Sequence, residues 1–213
     1  MQKIIVLFFK ALRLIKVKFY IPIDWLMSFF IFYVNGVEFS RFKNHGWPRV
    51  NVSRGGKCII GKGFKSNNRE MANPIGRFNR CSLIVGNRGT LIIGKNVGMS
   101  SSAIVCHHHI EIGDNVKLGG NVVIYDTDFH SLNAKSRLDT KTDISETKTA
   151  TVKIGNSAFI GAHSTILKGV QIGENAIVGA CSVVTKNIPA NEIWAGNPAK
   201  MVRTLNKTEK SID

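Results

Sequence analysis

Residues 154–184 read IGNSAFIGAHSTILKGVQIGENAIVGACSVV, and within them an aliphatic side chain returns at every sixth position: Ile154, Ile160, Ile166, Ile172, Val178 and Val184. Glycine follows directly at 155, 161, 173 and 179. Six residues at 3.6 per turn leave an α-helical side chain roughly 240° from its starting direction, whereas six steps along a strand return it to the same face. The repeat is therefore strand-like. It recurs upstream as Ile112-Gly113, Leu118-Gly119 and Ile124, and before that as Ile93-Gly94, Met99 and Val105. A single short repeat cannot bury its aliphatic residue alone, but a stack of them can, which is the logic of a parallel β-helix.

The chain has 213 residues and is 44% hydrophobic, enough for one core with an appendage. Its four cysteines, Cys58, Cys81, Cys106 and Cys181, show no CxxC spacing, and no cleavable leader is evident, which together favour a reducing, cytoplasmic setting. The formal net charge of +15 calls for a polyanionic partner: a phosphate-rich cofactor, anionic lipid or nucleic acid. Nucleic acid is disfavoured, because no reader motif and no interleaving of cations with aromatics is present.

Four regions differ in composition. Residues 1–35 carry two apolar runs, Ile4 to Phe9 and Trp25 to Phe32, separated by Pro22, and neither reaches the roughly 20 residues of a spanning helix. Lys3, Lys10, Arg13, Lys16 and Lys18 cluster on one side of a helical wheel, the pattern of a helix lying in a membrane interface. Packing against the domain or a neighbouring subunit is the competing use of the same apolar surface. Residues 36–92 hold strand-like fragments and read as irregular early coils, residues 93–190 as the regular coil, and 191–213 as a tail.

The register holds from Ile93 apart from one added residue between Val105 and Ile112, and its main break comes later. After Ile112, Leu118 and Ile124 the next six-residue step falls on His130, where an inward aliphatic was due, and residues 131–151 follow with no period. A long aperiodic loop inside a compact repeat domain is usually functional, and a locally violated repeat marks a site.

The segments Ile-Gly-Asp-Asn-Val (112–116), Tyr-Asp-Thr-Asp-Phe-His (125–130), Ile-Gly-Ala-His-Ser (160–164) and Trp-Ala-Gly-Asn-Pro-Ala-Lys (194–200) resemble the hexapeptide-repeat acyltransferases. The likeness is strongest to sugar O-acetyltransferases, such as the maltose and galactoside enzymes and the branch serving capsule, O-antigen and exopolysaccharide pathways. It covers roughly residues 80–203. It implies a mainly β protein, a left-handed parallel β-helix, assembled as a homotrimer with acetyl-coenzyme A as acyl donor between adjacent subunits and no metal.

The resemblance places His130 at the catalytic histidine. Acetyl transfer to an alcohol needs a base for the hydroxyl proton, and a neutral imidazole suits that task. Asp126 and Asp128 share its parity on a strand, so either can hold the other ring nitrogen; Asp128 is the nearer, and Asp126 is left as a substrate contact. Ser100 stands where the galactoside enzymes hold the acceptor with an asparagine. For the donor, the matching positions are Ala162, Gly179, Ala180, Thr185 and Lys186, with Lys200 and Arg203 in the tail. Small residues there admit a slim pantetheine arm, and the cations meet phosphates.

Cys106-His107-His108-His109 offers metal-ligand chemistry, but neighbouring strand residues alternate faces, so at most two of the four point together within one chain. Acetylation of a sugar hydroxyl on a sugar or lipid-linked glycan acceptor, by a cytoplasmic enzyme peripheral to the inner membrane face, is the leading expectation. N-acetylation of an amino-sugar nucleotide uses the same base chemistry and stays open. A zinc lyase of the γ-carbonic anhydrase kind is a weaker alternative, and an ice-binding coil lacks its Thr-x-Thr rows.

Overall fold

The computed structural model describes residues 2–69, 75, 79–206 and 208, and for residues 12–18 the backbone alone. Three parallel sheets wrap one core, each coil of chain giving a strand to each sheet. The first coil comprises β1 (Glu38–Phe39), β2 (Phe42–His45) and β3 (Arg49–Val52); the second β4 (Lys57–Ile60), β5 (Phe64–Asn67) and β6 (Ser82–Val85). The third has β7 (Thr90–Ile93), β8 (Gly98–Ser100) and β9 (Ala103–Cys106), and the fourth β10 (His109–Ile112), β11 (Lys117–Gly120) and β12 (Val123–Tyr125). The fifth is β13 (Val152–Ile154), β14 (Phe159–Ile160) and β15 (Thr165–Ile166); the sixth is β16 (Gln171–Ile172), β17 (Ile177–Val178) and β18 (Val183–Val184). A hairpin of β19 (Glu192–Gly196) and β20 (Ala199–Thr204) closes the stack on the second sheet. The architecture is a left-handed parallel β-helix, the known exception to right-handed crossovers.

The six-residue ladder is the core. Ile154, Ile160, Ile166, Ile172, Val178 and Val184 are all buried, and a second inward row of mostly small residues, Val152, Ala158, Ser164, Val170, Ala176 and Ser182, runs two positions earlier. Corners turn on left-handed backbone, as at Asn115, Asn121, His163 and Cys181, with φ between 58° and 62°. Glycine is required where coils stack closely: a Cβ on Gly161 would lie 2.5 Å from the Ala180 amide nitrogen.

Two sequence expectations change. Coils begin at Glu38, and apart from the long connection at 68–81 between β5 and β6 the strands from Glu38 to Ile93 are in regular parallel register, with Val50, Leu83 and Ile104 aligned on the third sheet. Their inward positions are filled by Cys58, Phe64, Ser66 and Cys81 among aliphatics, which masks the period. Val105 faces outward, and Ile104 and Cys106 face in, because at this corner the fourth coil carries one more residue than the third: Met99 and Ser100 stand opposite Leu118 and Gly120, so Gly119 is the extra one.

Helix α1 (Gln2–Val34) is a single element with Pro22 inside it. Asp24, Ser28 and Phe32, spaced four apart, form its buried stripe over the first coil, where Phe32 meets the rings of Phe39 and Phe42. Asp24 accepts from the Gly46 amide and from Arg69, whose guanidinium nitrogen lies 2.6 Å away. Much of the described remainder of the helix is exposed, including Ile4, Leu7, Phe8, Phe9, Leu26 and Phe30, while Trp25 and Phe29 are partly covered by Phe42 and Phe39. Of the cations on its expected basic side, Lys3 and Lys10 are exposed, while the side chains of Arg13, Lys16 and Lys18 lie outside the described residues. Among the described residues no helix is long and apolar enough to cross a membrane.

Candidate active site

The fourth coil ends at Tyr125, and the chain then leaves the edge between the third and first sheets. An isolated bridge between Thr127 and Thr149 and the pairing of Asp128 N with Lys148 O close the neck of the excursion. Inside it are a 3-10 turn, Ser136–Leu138, and α2 (Thr140–Glu146), so the aperiodic stretch is folded. Asp139 caps α2, accepting from both the amide and the hydroxyl of Thr142.

His130 stands at the root of this excursion with its side chain 70% exposed. Its Nδ1 lies 2.7 Å from Oδ2 of Asp143 on α2, and the other carboxylate oxygen accepts from the Ser131 amide at 2.6 Å. Glu146, one turn along α2, accepts from the Ser131 hydroxyl at 3.1 Å. Arg137 donates to the Ser131 carbonyl. The hydrogen bond from His130, followed by the one from the Ser131 amide, holds the Asp143 carboxyl below the usual carboxylate range. An ionised carboxylate can only accept, so Nδ1 carries the proton, which in the neutral ring leaves the lone pair on Nε2.

The carboxylate on the imidazole is therefore Asp143, and not Asp128. The parity argument fails because the chain is no longer a strand beyond Tyr125: Phe129 has φ 65°, packs edge-on against the Tyr125 ring, and faces the His107 ring. Asp128 instead pairs with Lys168 of the next coil at 3.0 Å, and its Oδ2 has no hydrogen-bond partner. Asp126 is fully buried and spends both oxygens on the amides of His107 and His108, which removes it as a substrate contact. Burial, and then the neighbouring Asp126 charge, push the Cys106 thiol far up, so it is no nucleophile.

The remaining expected residues fall in three places. Ser100 lies on the outer face of the second sheet, where its hydroxyl accepts from Asn67 at 3.1 Å, away from the His130 edge. Ala162, Gly179 and Ala180 lie on the edge between the second and third sheets, Ala162 above Gly119 and Ala180 above Gly161, forming a strip of small residues beside the corner side chains of Asn121, His163 and Cys181. Thr185 and Lys186 occupy the His130 edge two coils further on, and Lys200 and Arg203 are exposed on β20. His163 is a corner residue whose Nδ1 is 3.4 Å from the Asn121 amide. Among the described residues no three His, Cys, Asp or Glu side chains converge as a metal site.

Asp143 was missed. Its signal was the Asp139-x-x-Thr142 cap, which starts a helix and sets carboxylates at 143 and 146 three apart on one side.

Residues 151–186 match the model of the bacterial transferase hexapeptide (six repeats), and residues 90–126 the hexapeptide repeat of succinyl-transferase. Galactoside O-acetyltransferase of Escherichia coli (strain K12) is 36% identical over 119 residues, 55% of this chain and 56% of that protein. The chain thus spans about half the length of the curated relative it matches. A solved galactoside acetyltransferase in complex with coenzyme A is 26% identical over 90% of this chain and 85% of that one, with a TM-score of 0.53. The N-acyltransferase AntD of Bacillus cereus, solved as a point mutant with dTDP-4-amino-4,6-dideoxyglucose and coenzyme A, gives 0.64 at 19% identity over 81% and 85%. At that identity the likeness speaks to the coil fold.

Proposed function

We propose that the protein is an acetyl-coenzyme A-dependent O-acetyltransferase acting on a sugar hydroxyl, with His130 as general base, in the assembly of a surface polysaccharide such as capsule, O-antigen or exopolysaccharide. The observation that carries this is the His130–Asp143 pair: an exposed imidazole whose inner nitrogen is held by a carboxylate at 2.7 Å where the aliphatic ladder breaks. The likeness to galactoside acetyltransferases supports the reaction class.

Nε2 of His130 takes the proton of the acceptor hydroxyl as its oxygen attacks the thioester carbonyl. Asp143 keeps the ring in the tautomer that leaves Nε2 free and stabilises the imidazolium that forms. That proton then leaves on the thiol. Acetyl-coenzyme A is the acyl donor; its slim arm fits the small-residue strip at Ala162 and Ala180, and Lys186, Lys200 and Arg203 supply cations for its phosphates. The strip and His130 lie on different edges of one prism, with the third sheet between them. A homotrimer that sets the His130 edge of one subunit against the strip of the next brings base and thioester together.

The exposed apolar surface of α1, with Lys3 and Lys10 beside it, supports attachment to the face of an anionic membrane. Lipid-linked acceptors would there be met at high local concentration. The testing experiment is acetyl-coenzyme A consumption over a panel of neutral glycosides, nucleotide sugars and lipid-linked sugars; a wild-type protein that consumes none, or His130→Ala with full activity, rejects the assignment. Removing residues 1–18 should release the protein from anionic vesicles in a flotation assay, and leaves in place the Asp24–Ser28–Phe32 stripe that covers the first coil.

A further inference from the structure

The outer face of the second sheet carries a like-charge column that packing does not explain. Lys43 of β2 and Lys65 of β5 are direct register partners, and Lys65 and Lys117 of β11 both pair with Gly98 of β8. Adjacent strands lie about 4.8 Å apart, so the three lysines rise from one line of the sheet roughly 15 Å long. Like charges set opposite one another destabilise a sheet. Among the described residues no carboxylate comes within ion-pair distance of any of the three; Lys117 donates only to the Asn96 carbonyl at 3.2 Å. By contrast, Lys57 and Lys153 on the first sheet are paired, with Glu38 and Glu111. A concave groove follows the column, and its second row is polar: His45, Asn67 and Ser100, with the Asn67 amide bonded to the Ser100 hydroxyl. Gly98 leaves room in the middle, where the Lys117 stem lies over it.

We infer that this groove binds the diphosphate of a phosphate-linked sugar, the lysine column meeting the two phosphates and the polar row the sugar hydroxyls. The inference deepens the acetyltransferase reading above and rests on it, for it names the class of acceptor. Axial position separates the groove from the donor residues. The lysines belong to coils one, two and four, whereas Ala162, Ala180 and Lys186 belong to coils five and six. His130 leaves between the two sets. Helix α1 docks at the first-coil end, so an acceptor held at a membrane would reach the groove from that end.

The diphosphate has two sources, a nucleotide sugar or a prenyl-linked sugar, and titration calorimetry on the full chain with each distinguishes them. The probes are UDP-N-acetylglucosamine, a short-chain prenyl-diphosphate N-acetylglucosamine in detergent, and coenzyme A. Saturable binding of either sugar, weakened by added salt and lowered about tenfold or more in the triple variant Lys43→Gln, Lys65→Gln, Lys117→Gln, supports the inference. The tighter of the two identifies the source. Lys57→Gln should leave binding unchanged, and replacing the three lysines by arginine should restore it, which separates charge from misfolding. Wild-type protein that binds neither sugar, a triple variant that binds as the wild type does, or a triple variant that loses coenzyme A alone overturns it. Acetyl-coenzyme A consumption with a neutral methyl glycoside reads the parent proposal separately: consumption without diphosphate binding sinks only the groove, and its absence with every acceptor sinks the enzyme reading.

Discussion

A single side chain, His130, was visible in the sequence because it fell on a position that an aliphatic ladder should have filled. Its partner was not. Asp143 is thirteen residues away in a stretch with no period, and only the folding of α2 brings it within 2.7 Å. His130→Ala should lower acetyl transfer by about 10²- to 10⁴-fold with the thermal transition unchanged, the range expected for removing a general base. Asp143→Asn should cost about 10- to 100-fold in kcat with little change in KM for acetyl-coenzyme A, because the ring stays but its tautomer is no longer dictated. Asp128→Asn, which touches Lys168 and not the imidazole, should cost less than Asp143→Asn in the same assay; the reverse order would restore the parity reading. The Asp143 carboxyl is depressed in the folded state, so its grip on His130 and Ser131 is present above the ordinary carboxylate pKa and is lost as pH falls through the lower folded value. Protection factors over residues 131–149, with exchange rates corrected for the intrinsic pH dependence of amide exchange, should therefore be high at pH 7 and fall at acid pH, and Asp143→Asn should show the low values already at neutrality.

Among the elements, the coils from Ile93 onward were readable because each face repeats an aliphatic residue at fixed spacing, apart from the excursion and the one-residue shift that turned Val105 outward. The earlier coils were not, because Phe64, Ser66, Cys58 and Cys81 fill inward positions where the pattern expects Ile or Val. Phe64 and Phe32 are both fully buried at the first-coil end, so bulk there replaces periodicity. Helix α1 was legible as apolar and basic, with packing on the domain only the competing reading, since its docking stripe, Asp24, Ser28 and Phe32, holds two polar residues that a hydrophobicity pattern discounts. Asp24 is satisfied by Arg69 and the Gly46 amide, partners distant in sequence. Phe32→Ala should destabilise the fold by about 3–5 kcal/mol, the cost of emptying a buried aromatic site, measured as a shift in urea midpoint. An exposed neighbour on the same helix, Phe30→Ala, should leave the midpoint near wild type while weakening vesicle binding.

For the molecule as a whole, the separation of His130 from the strip at Ala162 and Ala180 makes subunit sharing testable. The edges of a three-sided prism diverge, so one chain presents its base and its small-residue strip in different directions. In a closed ring of head-to-tail contacts, each site would take its imidazole from one subunit and its strip from the next. Two inactive variants then complement one another: His130→Ala keeps the strip, and Ala180→Trp keeps the base but blocks the strip with an indole. Equal co-expression with random assembly would rebuild a site wherever the two intact halves meet, restoring about a quarter of wild-type activity, whereas a site held within one chain would restore none. The variants purified separately and mixed without subunit exchange should stay inactive, which excludes revertants as the source of the signal. Recovery would also explain why a near-uniform coil tolerates a folded excursion at one corner: the loop that orients the imidazole sits where a neighbour's edge would meet it.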